Sequence, residues 1–318
     1  SSTIEESDLL LYFSQTPPED AVLQMTYQGY IYWETPQTAP KKSRLIKQGE
    51  DFLIQTQVIG KSKQLVVITD SGKAYPLNLQ DIPPAGKKKK TLLMSLLPKG
   101  AQRDAEGSVA HFFLPENTAP LDLVLLTEKG HIKRLPVSEL TNLTNRGLVV
   151  LKLKEQDRLR YVCLTKEGQE VAISTTGGRV LRFEVNDQQL PIMGRSSQGN
   201  QALRLRYGEH LAGCVTLNSD EHLVLVSELG YGKRLPVSVL RLANRGDIGT
   251  QALQFTSKMD NLAGMVLAEA GATLILMTNT EKGTAILVDS LEVWGKDGSG
   301  DRFCKLKQDE KISSLMSY

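Results

Sequence analysis

The hexapeptide Lys-Arg-Leu-Pro-Val-Ser stands at residues 133–138 and again at 233–238, and an Asn-Arg-Gly follows each copy, at 145–147 and 244–246. An identity of that length with matched flanks makes the chain an internal array, and an array narrows the choice of fold more than composition can.

Extending the match gives six units. Each opens with an apolar run, at 22–25, 65–69, 123–127, 171–174, 223–227 and 274–278. A polar turn follows, with its glycine at Gly29, Gly72, Gly130, Gly178, Gly230 or Gly283, and then a second run. Such pairs of runs read as β-hairpins. The glycines are 43, 58, 48, 52 and 53 residues apart. A glycine-bearing loop then leads to a short strand, as in Gly147-Leu-Val-Val-Leu-Lys-Leu and Gly199-Asn-Gln-Ala-Leu-Arg-Leu, and a further strand (159–164, 211–217) runs on to the next hairpin. Four strands per unit and no long amphipathic run predict an all-β fold: a six-bladed β-pinwheel, a propeller-like closed disc of four-stranded blades. The chain opens on a hairpin and ends on a strand at 311–316, so the C-terminal strand is expected to complete the first blade and remove two open edges. Residues 1–20 read as an acidic linker from a preceding region, and 21–318 as a single six-bladed domain. The start without methionine reads as a boundary within a longer polypeptide.

The three cysteines, Cys163, Cys214 and Cys304, are an odd count, and the first two occupy the same strand of successive units. They are expected to pack in the core of a reduced, cytoplasmic protein. No apolar stretch is long enough to cross a bilayer and no signal-peptide pattern opens the chain, so no membrane is expected. Enzyme signatures are lacking. The four histidines are scattered, and Thr176-Gly-Gly178 is a hairpin turn rather than a phosphate cradle.

A net charge of +2 conceals a strong asymmetry. Residues 1–40 hold six acids and no Lys or Arg, residues 41–103 hold thirteen Lys/Arg against four acids, and the remainder is near −1. A basic sector on an otherwise neutral body is the signature of a polyanion-binding face. Basic residues also recur in register. Four residues past the turn glycines stand Trp33, Pro76, Arg134, Arg182, Arg234 and Leu287, with Lys133 and Lys233 one residue earlier and Arg179 next to Gly178. Two residues past them stand Ile31, Ala74, Ile132, Val180, Gly232 and Ala285, all small or apolar. The apolar column reads as core and the basic one as charge carried to the surface. Salt bridges to acids such as Glu139 and Glu184 are the alternative for any single arginine. A repeated column better matches a bent phosphate backbone. A second set lies in loops: Lys41, Lys42, Arg44 and Lys47; Lys87, Lys88, Lys89 and Lys90; then Arg146, Arg195, Arg245, Lys296 and Arg302. Few aromatics accompany them, which favours duplex backbone contact over single-strand stacking.

These residues resemble the C-terminal β-pinwheel domain of the A subunit of bacterial type IIA topoisomerases, DNA gyrase and topoisomerase IV. The resemblance is carried by Tyr27-Gln-Gly-Tyr30, Asp70-Ser-Gly-Lys-Ala-Tyr75, Gly86 through Leu97-Pro98, Gly178-Arg-Val-Leu-Arg-Phe183, Met193-Gly-Arg195 and Gly230-Tyr-Gly-Lys-Arg234. It implies a disc whose basic rim binds and wraps duplex DNA without reading sequence. The implied partners are the catalytic region of the same polypeptide and, through it, the ATPase B subunit. No catalytic residue, metal or cofactor is implied in this chain, because the cleaving tyrosine, its metal site and the ATPase lie in regions it lacks. The parent would be an ATP-dependent isomerase of the bacterial cytoplasm, at the nucleoid. One departure is informative. The gyrase heptapeptide QRRGGKG has no counterpart in Glu34-Thr-Pro-Gln-Thr-Ala-Pro40, which holds two prolines and no glycine or arginine. Gyrase and topoisomerase IV both stay open. A propeller that binds protein would instead expose an apolar patch on a flat face. A propeller hydrolase would need polar residues on inner strands that here carry Leu, Val, Ile and Met.

Overall fold

The apolar runs become central strands with no solvent face. Asp122–Thr127 and Glu170–Thr175 are buried at every position, because neighbouring sheets share apolar layers on both sides. Val124 and Leu126 pack in one cluster with Val171 and Ile173 of the next hairpin. Ala172 and Val180 pack with Leu223 and Leu225, and Val224 and Val226 with Leu274 and Leu276. Strands covered on both faces read as continuous hydrophobic runs rather than as an in–out alternation.

Each hairpin turns on a left-handed residue, and in four of them a hydroxyl side chain braces the turn. Thr26, Thr127, Ser227 and Thr278 accept the amide N–H of Tyr30, His131, Tyr231 and Lys282 at 3.0–3.3 Å. In five turns the left-handed residue is the expected glycine, for example Gly130 at φ 92°. In the sixth it is Glu281, at φ 62°. Gly283 pairs with Met277 just as Ile132 pairs with Leu126, so the last turn lies two residues before the expected position. The column four residues past that turn therefore ends on Ala285, not Leu287. Gly283 is glycine for another reason: a Cβ there would lie 2.7 Å from the Met277 sulfur.

The computed structural model describes residues 16–36, 45–86 and 89–318, and among them six antiparallel sheets. They fall in two compact units. Of the described residues, one comprises 16–36, 51–86, 89–116 and 140–150, the other 45–50, 117–139 and 151–318. The smaller unit holds the sheet of Ile31–Glu34, Val22–Thr26 and Leu53–Val58 and the sheet of Leu148–Val149, Lys73–Asn78, Gln64–Thr69 and Ser108–Phe113. The larger holds four sheets built on the hairpins Asp122–Thr127/His131–Pro136, Glu170–Thr175/Arg179–Glu184, His222–Ser227/Tyr231–Pro236 and Thr273–Thr278/Gly283–Leu287.

The short strands leave their own hairpins. Leu148–Val149 pairs with Lys73–Asn78, Asn200–Gln201 with His131–Pro136, Thr250–Gln251 with Arg179–Glu184, and Asp301–Arg302 with Tyr231–Pro236. Each repeat thus supplies the outer strand of the preceding one. The donated backbone lies so close to its acceptor that glycine is required before it: a Cβ on Gly249, at φ 90°, would sit 2.9 Å from the Val180 carbonyl. The longer strand pairs back on its own hairpin, as Leu159–Thr165 does on Asp122–Thr127. Ile312–Ser317 likewise pairs with Thr273–Thr278. The C-terminal strand therefore does not complete the first blade. The first hairpin receives Leu53–Val58, and the last sheet is finished by Leu45–Ile46 from the first repeat. The reason is phase: the longer strand follows the hairpin it joins rather than preceding it. On the first hairpin, the antiparallel bridge Tyr30↔Leu92 stands where the others receive a short strand, and the parallel bridge Trp33↔Pro84 matches Arg134↔Ile192 on the third.

Candidate nucleic-acid interface

The basic column read as a surface feature is buried, and this corrects the expectation for Lys133, Arg134, Arg179, Arg182 and Lys233. Their strands lie between packed sheets, so a charge there must find a partner inside. Arg134 Nε donates to Asp122 at 2.8 Å, and Arg182 grips Glu170 through two bonds. Arg179 pairs with Glu209. Burial raises the Glu209 carboxyl, but hydrogen bonds from Arg179, Thr175 and the Arg206 amide outweigh that and leave it below the ordinary range. Half-buried Arg234 occupies the same register and meets a histidine instead, its Nε donating to His222 Nδ1 at 3.0 Å. Burial and the neighbouring guanidinium hold His222 below its usual pKa. These cations join strands.

The two lysines of the repeated hexapeptide do something more specific. Both are 0 % exposed. Lys133 Nζ donates to the carbonyls of Arg195 (2.8 Å) and Ser197 (3.3 Å). Lys233 Nζ lies among those of Gly295, Lys296, Asp297 and Gly298, at 2.9–3.3 Å. In each case the carbonyls belong to the turn just ahead of the donated short strand. The fourth sheet has Leu181 at this position and uses Arg179, whose Nε donates to the Ile248 carbonyl at 3.1 Å. Burial draws both ammonium groups down to about 8, with Glu139 and Asp297 opposing the shift.

What the turns present outward is cationic. Arg195 and Lys296 are exposed on the two clamped turns, Arg195 within 3.3 Å of Glu139. Arg245, on the corresponding turn between them, is half-buried, bonded to the carbonyls of Gln189 and Gln201. Lys47, Arg146 and Arg302 are exposed, Arg302 lying 5.2 Å over the Tyr231 ring. In the smaller unit Lys89 and Lys90 are exposed, and Lys90 Nζ lies 5.4 Å over Tyr30. They border a cavity of about 450 Å³ with Phe52, Glu34 and Asp51. Lys41, Lys42, Arg44, Lys87 and Lys88 lie outside the described residues, as do positions 37–40 of the departed heptapeptide.

A second exposed row escapes a reading based on turn glycines. Five residues past the donor glycines Gly147, Gly199, Gly249 and Gly300 stand Lys152, Arg204, Gln254 and Lys305, all exposed. The first three are tied by their amides to the turns just described, to the carbonyls of Ser197, Asp247 and Gly298 at 3.0–3.1 Å. Each turn thus sets a cation beside a residue of the preceding repeat. The signal was present in the stretches Gly147-Leu-Val-Val-Leu-Lys-Leu and Gly199-Asn-Gln-Ala-Leu-Arg-Leu, whose sixth residue is the cation. Such a surface is cationic along successive repeats.

The model of a family described as the DNA gyrase C-terminal domain, beta-propeller, matches residues 63–90, 121–162, 169–218 and 221–269. The chain is 36% identical over its full length to the A subunit of DNA topoisomerase 4 from Synechocystis, covering 35% of that protein. It is 29% identical over 93% of its length to the A subunit of DNA gyrase from Deinococcus deserti, covering 38%. It therefore spans little more than a third of these relatives. Among solved structures, the C-terminal domain of DNA topoisomerase IV superposes with a TM-score of 0.78 at 18% identity, over 94% of this chain and 93% of that one. The DNA gyrase A C-terminal domain gives 0.64 at 18% identity, over 94% and 99%. These likenesses give the fold as a six-bladed β-propeller of the pinwheel type, and the chain belongs to the DNA gyrase C-terminal β-propeller family.

Proposed function

We propose that this chain is a non-catalytic module that binds and bends duplex DNA for the A subunit of a type IIA topoisomerase, gyrase-like or topoisomerase IV-like. The parent would be an ATP-dependent isomerase of the bacterial cytoplasm, and the partners the catalytic region of the same polypeptide and a B subunit. The observation that carries this is the repeated pairing of Arg195, Arg245 and Lys296 with Lys152, Arg204 and Gln254 on rigidly held turns. Dispersed phosphate contacts of this kind offset the elastic cost of bending, on the order of 1–6 kcal/mol for a 20–30 bp site turned by 40–90°, without base recognition. Anisotropy titration of labelled duplexes against salt tests it. Binding is expected to weaken steeply, with a log–log slope of about −0.9 per phosphate neutralised. A salt-independent affinity, or equal affinity for an uncharged polymer, would overturn the reading.

A further inference from the structure

Bridged to the column arginines stands an unexplained row. Ile192, Leu242 and Val293 are 50%, 45% and 57% exposed, at one register in three successive sheets. Single exposed aliphatics need no explanation, but these recur with a fixed setting. The backbone of each is bridged in parallel to a column arginine, Ile192 to Arg134, Leu242 to Arg182 and Val293 to Arg234. The next amide donates to that arginine's carbonyl at 2.7–3.0 Å. The same guanidinium groups hold the carbonyls of Leu190, Leu240 and Val288. The row is thus mounted on a fixed backbone, and three residues further along each segment stands an exposed or half-exposed cation, Arg195, Arg245 or Lys296.

We propose that Ile192, Leu242 and Val293 lie in the groove of the duplex whose phosphates the neighbouring cations hold, against deoxyribose and base edges, and that they set its bend. The proposal rests on the DNA-binding reading above. Its argument is complementarity in register: a duplex presents a phosphate row beside an apolar groove wall, and each segment presents a cation beside an aliphatic side chain. Apolar side chains set against base steps are a general device for bending DNA toward a protein. A protein-docking face would instead be a continuous apolar patch, whereas here Arg241 and Glu292, next to Leu242 and Val293, are exposed and polar.

The test uses the full 318-residue chain carrying Ile192→Ser, Leu242→Ser and Val293→Ser together, with thermal melting to confirm the fold. Affinity is measured against salt, and bending by energy transfer across an end-labelled duplex. The triple variant is expected to keep the parent's salt slope, to bind about tenfold more weakly at every salt concentration, and to lose most of the bend. Leu242→Lys, in a separate chain, is expected to steepen the slope by about 0.9 while still reducing the bend. If bending and affinity are unchanged in the serine variant while Lys296→Ala still flattens the slope, the row is not on DNA and the binding reading stands. If the serine variant instead loses association with a topoisomerase core fragment and keeps its bend, the row is a protein face and the proposal is overturned. If the unmodified chain fails to bind duplex at all, the reading beneath it falls as well.

Discussion

Arg182 and Lys296 carry the same charge and differ in what their removal exposes. Arg182 is buried against Glu170, so Arg182→Ala leaves a carboxylate unpaired inside the sheet stack. A loss of about 3–5 kcal/mol in urea unfolding is expected. Lys296→Ala touches only a solvated side chain and is expected to change stability by less than about 0.5 kcal/mol. Its effect belongs to DNA binding, where the salt slope should flatten by about 0.9. The opposite pattern, a stable Arg182 variant with a flattened slope, would return the buried column to the DNA-binding surface. His111 gives a pH signature of its own. Burial lowers its pKa to about 4, while its ring contacts Gln55 Oε1 and Ser108 Oγ at 3.0 and 2.9 Å. In the unfolded chain it takes a proton below about 6.5. The unfolded state therefore binds the extra proton between those values, and stability is lost as pH falls through that window, by about 3 kcal/mol in all. His111→Gln is expected to flatten that part of a urea-midpoint-against-pH profile. None of this was visible in four scattered histidines, because depth, not spacing, sets the shift.

The hexapeptide shows where reading elements from sequence succeeds and where it stops. The hairpins, the core column Ile31, Ala74, Ile132, Val180 and Gly232, and the packing of Cys163 and Cys214 as free thiols were all legible from register. The depth of the basic column was not. Alternation assigns every second strand residue to solvent, but central strands between packed sheets have no such face, and Lys133 and Lys233 are buried with their carbonyl partners. Those partners come from a turn some sixty residues away, which no local pattern announces. Lys233→Met keeps the stem and removes the donors, leaving carbonyls of residues 295–298 without this partner. Stability is expected to fall by about 1–3 kcal/mol, and amide exchange to quicken across 294–303 while staying slow in Glu170–Thr175. Unchanged exchange in that segment would show that the turn holds itself.

At the scale of the whole molecule, repeat number was legible because it is a sum over many residues, and the expected four strands stand in five of the six sheets, the first having three; the basic sector at 41–103 is a feature of the sequence. The exchange of short strands and the route by which the last sheet is finished were not legible, because they depend on pairings between distant segments. In that sector Lys41, Lys42 and Arg44 follow directly on the stretch that holds Pro36 and Pro40 in place of a glycine- and arginine-rich heptapeptide. Proline offers no N–H to a phosphate, whereas Lys41, Lys42 and Arg44 still supply point charges. The chain is expected to bind and bend duplex DNA yet trap little writhe when a nicked plasmid is religated around it. Replacing residues 34–40 with a glycine- and arginine-rich heptapeptide should raise trapped positive writhe more than affinity. A full positive turn trapped by the unmodified chain would show the heptapeptide to be dispensable.

Because each repeat supplies the outer strand of the preceding one, a gene duplication or deletion in such an array has a phase. A breakpoint placed between visible sheets orphans one short strand and strips another hairpin of its edge, inviting edge-to-edge association. A breakpoint placed within the repeat, between a hairpin and the short strand that follows it, severs more: that short strand pairs with the preceding hairpin, and the longer strand after it pairs with the hairpin just cut away. Changes in blade number that survive should therefore be cut just ahead of a hairpin, where a single short-strand pairing crosses the junction, and the same rule sets where this chain can be shortened or spliced in the laboratory.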